Sequence, residues 1–450
     1  MFSTPKPASV SSRHLGGSLS GHHLKREVQM KFKTLIAAVA LSAVAGQAFA
    51  DTTVRMLHIE TNPNVLKIWD EAKTDFEAAN PGVKIEFQGM ETSAFKARLT
   101  TLLQAESKPD IIYSWGGGLV DSRVKAGVLE DVTAQIDPGV AKGLIPAGMS
   151  AFTRDGKIYG LPYLTSEVGI LVNKELLAKA GVTVESLSTW PGFLDGVKKL
   201  KGAGIVPLAI GGQDKWQLGA LYGALALKTG GEKALKTAMA GEGGGFTADP
   251  FVQAGERLKE LAALKPFQNG YLSAKAQTSG SLFSDGKAAM LMYGTWYFRL
   301  NPTLAHDKVG LPIEKMDFIG VPDVPGRAGT DKEAIGQLNG WLFTKGAPKE
   351  AVKFVEFFLG AKYQSELAEG GFIIPVSIDA RTKVSNPLMK RAAEKIANLG
   401  FLQLPYDTQL GPNAGATAND VAVGIVAGQY NSAQAAQQLE AARKTDQSSQ

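Results

Sequence analysis

The stretch VRMLHIETNPNVLKIWDEAKTDFEAANPGVKIEF, residues 54–87, predicts a strand, a helix and a second strand in succession. Val54 to Ile59 is a short run rich in β-forming residues, and residues 83–87 alternate as a half-buried strand does. Between them, residues 64–80 repeat apolar side chains at helical spacing, and Pro81-Gly82 ends the helix. Two strands joined by a crossover helix are typical of a parallel sheet covered by helices.

The same alternation continues along the chain. Residues 111–113 and 205–211 predict further strands, and the following stretches predict helices: 93–105, 251–264, 348–359, 388–399 and 420–442. No period of 20–50 residues repeats, and no long Pro- or Ser-rich linker separates two halves. We therefore expect two α/β domains between which the chain crosses several times.

Residues 30–50, MKFKTLIAAVALSAVAGQAFA, have the three parts of a secretory signal peptide. Lys31 and Lys33 precede an apolar run at 35–44, and Ala48-Phe49-Ala50 gives the small residues of a cleavage site. The apolar run is shorter than the roughly 20 residues that a membrane span needs. No cysteine follows for a lipid anchor, so we expect a soluble mature chain from about Asp51. Residues 1–29 are polar and predict a disordered or non-native extension.

The charge balance argues against nucleic acid as a partner. The whole chain carries 48 Lys and Arg against 43 Asp and Glu, but residues 1–50 hold six of the bases and one of the acids. The remainder is therefore neutral, with no excess of basic residues for phosphate binding. The chain has no cysteine, which excludes disulfides, thiolate chemistry and Cys-ligated zinc.

Seven motifs between residues 54 and 442 occur in a fixed order: KPDIIYSW (108–115), AGVL (126–129), DGKIYGLP (155–162), GILVNKEL (169–176), TWPGF (189–193), GKAAMLMYGTW (286–296) and EAVKFVEFFL (350–359). Together they resemble the extracellular solute-binding family 1, the maltose-binding-protein type of periplasmic receptor. Each motif alone is short and weakly specific; their order and spacing carry the resemblance.

The resemblance implies two α/β lobes joined by a three-segment hinge, with the ligand in the cleft. Lobe one would comprise 51–163 plus 337–373, and lobe two 164–336 plus 374–450. The crossings would fall at 161–167, 335–339 and 372–376. Such receptors close about a hinge around their solute. The resemblance thus implies a monomeric, periplasmic binding protein of an ABC-type sugar importer, whose closed form is recognised by permease subunits in the inner membrane.

A sugar presents apolar C–H faces, which bind flat aromatic rings, and a rim of hydroxyls, which bind fixed polar groups. Trp69 and Trp190 lie on predicted helices and are expected in the core. The other four tryptophans stand at strand ends or in loops, and we predict that they line the cleft: Trp115, Trp216, Trp296 and Trp341. By resemblance Trp296 is the strongest stacking candidate. Gly116, after Trp115, would let the backbone approach the ligand.

Seven polar residues complete the predicted ligand site: Glu60, Glu91, Tyr163, Glu167, Asp214, Arg299 and Asn339. The acids follow strands or lie in a crossing, where carboxylates would accept bonds from sugar hydroxyls. Each has an alternative. The acids are equally suited to solvated loops or helix caps, Arg299 to a surface salt bridge, and Asn339 with Trp341 to packing at the hinge.

Two other functions remain open on the sequence. A secreted glycosidase would need a pair of catalytic acids, but no residue pattern marks such a pair. Residues 51–450 contain only His58 and His306, and the chain lacks HExxH, GxSxG and phosphate-loop motifs. We therefore predict no catalytic residue, metal or cofactor. The same fold with a non-sugar solute, such as an amine, a polyol or a glycerol phosphate, is the closer alternative.

Overall fold

The computed structural model of the protein describes residues 52–448, so the predicted signal peptide and extension lie outside the described residues. Twelve strands occur in this range: β1 Thr52–His58, β2 Val83–Gly89, β3 Ile111–Ser114, β4 Thr153–Arg154, β5 Lys157–Ile158, β6 Gly160–Asn173, β7 Val206–Ala209, β8 Ala288–Gly294, β9 Met316–Ile319, β10 Glu333–Phe343, β11 Ile374–Pro375 and β12 Phe401–Gln403.

The α-helices of this range are Pro63–Ala79, Thr92–Leu103, Gly118–Lys125, Pro138–Lys142, Pro146–Ala151, Lys174–Lys179, Trp190–Gly202, Trp216–Met239, Asp249–Ala263, Ala276–Ser284, Tyr297–Leu304, Lys349–Phe358, Ala361–Glu369, Pro387–Ala397, Tyr406–Gln409, Pro412–Val426 and Ser432–Ser448. Short 3-10 turns occur at Glu185–Ser188, Gly245–Thr247, Tyr271–Ser273, Ile313–Lys315 and Ala380–Lys383. None of the helices within 52–448 combines the length and apolar character that a membrane span requires.

Ten of these strands form one sheet, in which seven follow the order β2-β1-β3-β10-β6-β8-β7. The pairs β1–β2, β1–β3 and β7–β8 are parallel, as predicted. However, β6 runs antiparallel to β8, β9 and β10, and β10 runs antiparallel to β3. The sheet is therefore mixed, because two long strands return through it against the direction of their neighbours.

The long strand β6 connects the two halves of this sheet. Its first part, Gly160–Glu167, pairs with β10, and its second part, Val168–Asn173, pairs with β8 and β9. Strand β11 pairs with β6 at Leu164 and Thr165. Three segments that fall within or overlap the predicted crossings thus lie side by side, while the lobe boundaries themselves stay a prediction.

One hydrophobic core, the first core, covers the β1–β3 half of the sheet. It combines residues from 54–164 with residues from 338–376, which return to it late in the chain. Trp69 is its central side chain, and its ring contacts those of His58, Tyr163, Trp341 and Phe358. The prediction that Trp69 is a core residue is confirmed.

The other half of the sheet has a core on each face. Ile170 and Val172 point into the second core with Trp190, whereas Leu171 between them points into the third core with Phe283. This alternation follows from the two-residue period of side chains along a strand. Trp190 is buried in the second core, as predicted.

One predicted helix is wrong in its extent. Residues 420–442 do not form a single helix, because one helix ends at Val426 and the next begins at Ser432. Gly428 between them has φ 75, a left-handed conformation that ends helices and favours glycine. The two helices pack against each other.

His58 makes the stability of the first core dependent on pH. Burial among Trp69 and Phe87 lowers the pKa of His58 below 6.5, although the charges of Glu60 and Asp70 oppose the shift. As the pH falls, the unfolded chain therefore protonates His58 more readily than the folded chain does. The free energy of unfolding is highest above about pH 6.5 and decreases as the pH falls below that value. We expect the urea midpoint to fall between about pH 7 and pH 5, and less steeply in His58→Asn.

Asparagine is the chosen replacement because its side-chain oxygen can still accept the Glu60 N–H that His58 Nδ1 accepts at 3.2 Å. His306→Gln, at an exposed histidine, is the control for removing a histidine. Equal pH slopes for the parent and His58→Asn would contradict the prediction.

Candidate functional site

Most of the predicted ligand residues gather at the carboxyl ends of strands. Glu60, Glu91 and Trp115 follow the parallel strands β1, β2 and β3, and Trp216 and Trp296 follow the parallel strands β7 and β8. Loops at the carboxyl ends of parallel strands meet along one edge of the sheet. The two halves of the sheet therefore present one such edge each.

Direct contacts join the two edges. Arg299 Nε lies 3.2 Å from Glu60 Oε2, and the Arg299 carbonyl accepts a hydrogen bond of 2.6 Å from Asn62 Nδ2. Lys96 Nζ lies 3.1 Å from Asp407 Oδ2. We call the space between the two edges the cleft. Because these contacts bridge it, the structure has the cleft closed.

An aromatic group lines the cleft on the β7–β8 side. The Trp216 and Trp296 rings are 5.8 Å apart, and Tyr293 lies 5.3 Å from Trp216 and 5.6 Å from Trp296. Both indoles are partly exposed, whereas Tyr293 is buried beneath them. We call Trp216, Tyr293 and Trp296 the aromatic wall. Its two partly exposed indoles provide flat apolar surface of the kind that packs on the C–H face of a sugar.

The opposite side of the cleft carries Trp115. Its ring packs edge-on against Phe95 and Tyr113, and Lys96 Nζ lies 5.0 Å above it. This indole is only 7% exposed. Gly116 next to it has φ 69, and a side chain there would meet the Leu338 carbonyl. The glycine is therefore required by the close approach of the protein's own backbone.

A buried ion pair sits between the two sides. The side chains of Glu60 and Arg299 are 6% and 11% exposed. Burial, the largest single influence, acts to lower the pKa of Arg299, but the Glu60 carboxylate and the nearby tyrosines together outweigh it, so the pKa is raised and the guanidinium stays charged. Glu60 Oε1 accepts bonds from the backbone N–H groups of Thr61 and Asn62.

Tyrosine hydroxyls surround this ion pair. Burial raises the pKa values of Tyr113, Tyr163 and Tyr293, and the nearby Arg299 charge opposes the rise in each. The hydroxyls are therefore neutral at physiological pH. The Tyr163 hydroxyl accepts a hydrogen bond from Trp69 Nε1 at 3.2 Å.

Several buried polar atoms in this region have no hydrogen-bond partner within residues 52–448. They are Ser166 Oγ, Thr295 Oγ1 and Asn339 Oδ1. A buried polar atom costs free energy unless water or a ligand satisfies it. Asn339 also lies against the Tyr113 hydroxyl. These atoms are available to a molecule with hydroxyl groups.

Other predicted residues are occupied by the protein itself. Trp341 and Tyr163 are buried in the first core, which for Trp341 favours the alternative of packing at the hinge. Glu91 caps the helix Thr92–Leu103 by accepting from Ser93 N, and Glu167 is paired with Lys395. All four stay predictions as ligand residues.

Asp214 has both a structural partner and a place near the aromatic wall. Its Oδ2 accepts a 2.8 Å hydrogen bond from Ala276 N, and its charge acts on Tyr293. It does not cap the helix Trp216–Met239, whose flanking residue is Lys215. The carboxylate instead binds the first N–H of the helix Ala276–Ser284, and Asp214 stays a prediction as a ligand residue.

Three residues at the cleft were not predicted from the sequence. Tyr113 and Tyr293 each stand next to the last residue of a strand, a position that would have marked them. Asn62 precedes Pro63 at the first turn of a helix, a typical N-cap pattern. Its reach across the cleft has no signal in the sequence, because Arg299 is 237 residues away.

The groups at this site can bind a molecule by stacking on aromatic rings and by hydrogen bonding. Exposed indoles offer apolar faces, Glu60 offers acceptors and Arg299 offers donors. Within the part of the chain that the structure describes, no group of three or more His, Cys, Asp or Glu residues is arranged to hold a metal ion.

The sequence is similar to those of known bacterial binding proteins. The sequence model of a family described as bacterial extracellular solute-binding protein matches residues 62–365. A putative binding protein of Brucella abortus is 25% identical over 347 residues, covering 76% of this chain and 80% of that protein. The diacetylchitobiose binding protein DasA of Streptomyces coelicolor is 25% identical, covering 77% of each chain.

A solved structure of a chitin oligosaccharide binding protein superposes with a TM-score of 0.78 at 23% identity, covering 88% of this chain and all of that one (100%). At this identity the likeness concerns the fold. The prediction of a two-lobed α/β fold is confirmed, and the three-segment hinge stays a prediction.

Proposed function

The chain belongs to the bacterial extracellular solute-binding proteins, and from this membership we propose that it is the receptor of an ABC-type sugar importer. It binds a mono- or oligosaccharide in the cleft and hands it to permease subunits in the inner membrane. The relatives include the diacetylchitobiose binding protein and probable sugar-binding periplasmic proteins. Sugar recognition by this chain is the inference drawn from them and from the site.

The observation that carries the proposal is the occurrence of the aromatic wall and the Glu60–Arg299 pair at the same cleft. Trp216 and Trp296 give the stacking surface, and the ion pair gives both acceptors and donors. Such a mixture suits vicinal hydroxyls, which donate and accept at once. The pair is also neutral overall, since Arg299 lies beside Glu60. A lone acid between aromatics would favour an amine, whereas this arrangement favours an uncharged ligand.

The two predicted lobes suggest how the ligand would be bound and enclosed. We propose that the first core marks lobe one, that the second and third cores mark lobe two, and that β6, β10 and β11 are the hinge. The ligand would enter the open cleft and be enclosed when the two carboxyl-end edges meet. We place the receptor in the periplasm as a monomer, exported by the predicted signal peptide at 30–50. It performs no catalysis and needs no cofactor.

Thermal denaturation with a ligand panel tests the proposal. A ligand that binds only the folded chain raises the melting temperature, by about 2.7 kcal/mol of stabilisation at 100 times its Kd. We expect diacetylchitobiose, raffinose or another neutral saccharide to raise it, and spermidine or glycerol 3-phosphate to leave it unchanged. A shift with spermidine and none with any saccharide would overturn the sugar assignment. Release of monosaccharide during incubation would overturn the absence of catalysis.

A further inference from the structure

Asn62 uses the two ends of one amide for two different tasks. Its Oδ1 accepts hydrogen bonds from Asn64 N at 2.9 Å and Val65 N at 3.3 Å, which caps the helix Pro63–Ala79. Its Nδ2 donates to the Arg299 carbonyl at 2.6 Å. The side chain is almost fully buried, with the residue 2% exposed.

The two partners of this amide belong to opposite sides of the cleft. The capped helix contributes Val65 and Trp69 to the first core, whereas the helix Tyr297–Leu304 contributes Tyr297 and Phe298 to the third core. The bond from Asn62 to Arg299 therefore forms only when the cleft is closed. Because Oδ1 is held by the cap, the amide group already points its donors toward the opposite side before closure.

The hydrogen bond also places the Arg299 side chain. Asn62 donates a hydrogen bond to the backbone carbonyl of Arg299. Glu60, two residues before Asn62, lies 3.2 Å from the Arg299 guanidinium. Glu60 is fixed in turn by the Asn62 N–H, which it accepts at 2.8 Å. One short segment thus fixes both the backbone and the charge of Arg299.

We propose that Asn62 is a positioning residue for closure of the cleft. Its helix cap orients the side-chain amide, and the amide then donates a hydrogen bond to Arg299 on the opposite side. The proposal rests on the proposed function in one respect, since closure is the step by which such a receptor would retain its solute. It assigns to Asn62 no contact with the ligand.

The replacement Asn62→Asp separates the two tasks of the side chain. Aspartate caps helices as well as asparagine does, and its charge is favourable at a helix N-terminus. It has no N–H to donate, and its carboxylate would face the Arg299 carbonyl. The cap is therefore retained while the bond across the cleft is lost.

Asn386→Asp is the matched control. Asn386 also precedes a proline at the first turn of a helix, Pro387–Ala397, and its Oδ1 accepts from Leu388 N at 3.0 Å and Met389 N at 3.1 Å. This substitution therefore changes a cap of the same kind on a helix that takes no part in the Asn62–Arg299 bond.

The measurement uses the protein without ligand, so it does not depend on which solute binds. Because the chain contains no cysteine, Thr100→Cys and Lys275→Cys accept spin labels selectively, one on each side of the cleft. Both positions are exposed. Pulsed electron paramagnetic resonance then gives the distribution of distances between the labels, and circular dichroism gives the melting temperature.

We expect the parent and Asn386→Asp to show the same distance distribution, with the same share of short distances. In Asn62→Asp the ratio of closed to open molecules should fall about fivefold, the effect of one hydrogen bond on an equilibrium, and the melting curve should still show a folded protein. If this variant fails to fold, Asn62→Ser, which also caps helices and cannot reach Arg299, takes its place.

The same share of short distances in Asn62→Asp and in the parent would overturn the proposal. Failure of the sugar assignment would appear in the ligand panel and would leave this comparison intact.

Discussion

Trp296→Ala is expected to weaken saccharide binding by about 1–3 kcal/mol, or roughly 5- to 150-fold in Kd. Its indole is partly exposed at the cleft and packs beside Trp216 and Tyr293. A Cβ at Gly294 would overlap this indole, so the glycine lets the ring lie directly on the strand end. The ring is therefore held in place before the ligand arrives, and its removal takes away stacking surface that costs no ordering to use.

Titration calorimetry with the saccharide identified by the panel measures this effect. Tyr430→Ala is the control, because Tyr430 is also a partly buried aromatic residue, packed on the second core between the helices Pro412–Val426 and Ser432–Ser448. It should leave the Kd unchanged. A Kd for Trp296→Ala equal to that of the parent would remove this residue from the site.

Trp69→Ala is expected to reduce the free energy of unfolding by about 3–5 kcal/mol, the usual cost of deleting a buried tryptophan. The ring is enclosed by aromatic partners from five parts of the chain, including Phe87, Trp341 and Phe358. Its removal leaves a cavity between two sides of the first core. It also leaves the Tyr163 hydroxyl without the hydrogen bond from Trp69 Nε1.

Guanidinium unfolding of the ligand-free protein gives the value. Leu66→Ala on the same helix is the control, since Leu66 is only partly buried and packs at the margin of the same core. Its loss should be clearly smaller. Equal losses for the two variants would mean that Trp69 is not the centre of this core.

Local patterns predicted the local structure well. The helix Pro63–Ala79 ends where Pro81-Gly82 predicts, and its apolar stripe contains Trp69. Apolar runs identified β1, β2, β3 and β7, because a strand that is buried on one or both faces has a recognisable pattern of apolar residues. The resemblance of ordered motifs, rather than any periodicity, predicted the two lobes.

Contacts between distant residues were beyond this kind of reasoning. Glu167 was predicted at the ligand, yet it is buried and paired with Lys395, 228 residues later. Trp341 looked like a loop residue near the hinge, yet it lies within β10 and is covered by the first core. In both cases the deciding partner comes from another part of the chain, and only the assembled fold brings it there.

Residues 338–376 join the first core late in the chain, and this affects when that core can form during synthesis. The first core begins with β1 at Thr52 but lacks β10 and the helix Lys349–Phe358 until most of the chain has been made. Loop closure over so long a separation is slow. The amino-terminal part of a growing chain therefore cannot complete its core until those later residues have been made. If the predicted signal peptide directs the chain to the periplasm, as we propose, this delay would help to keep the polypeptide unfolded for passage through a narrow export channel.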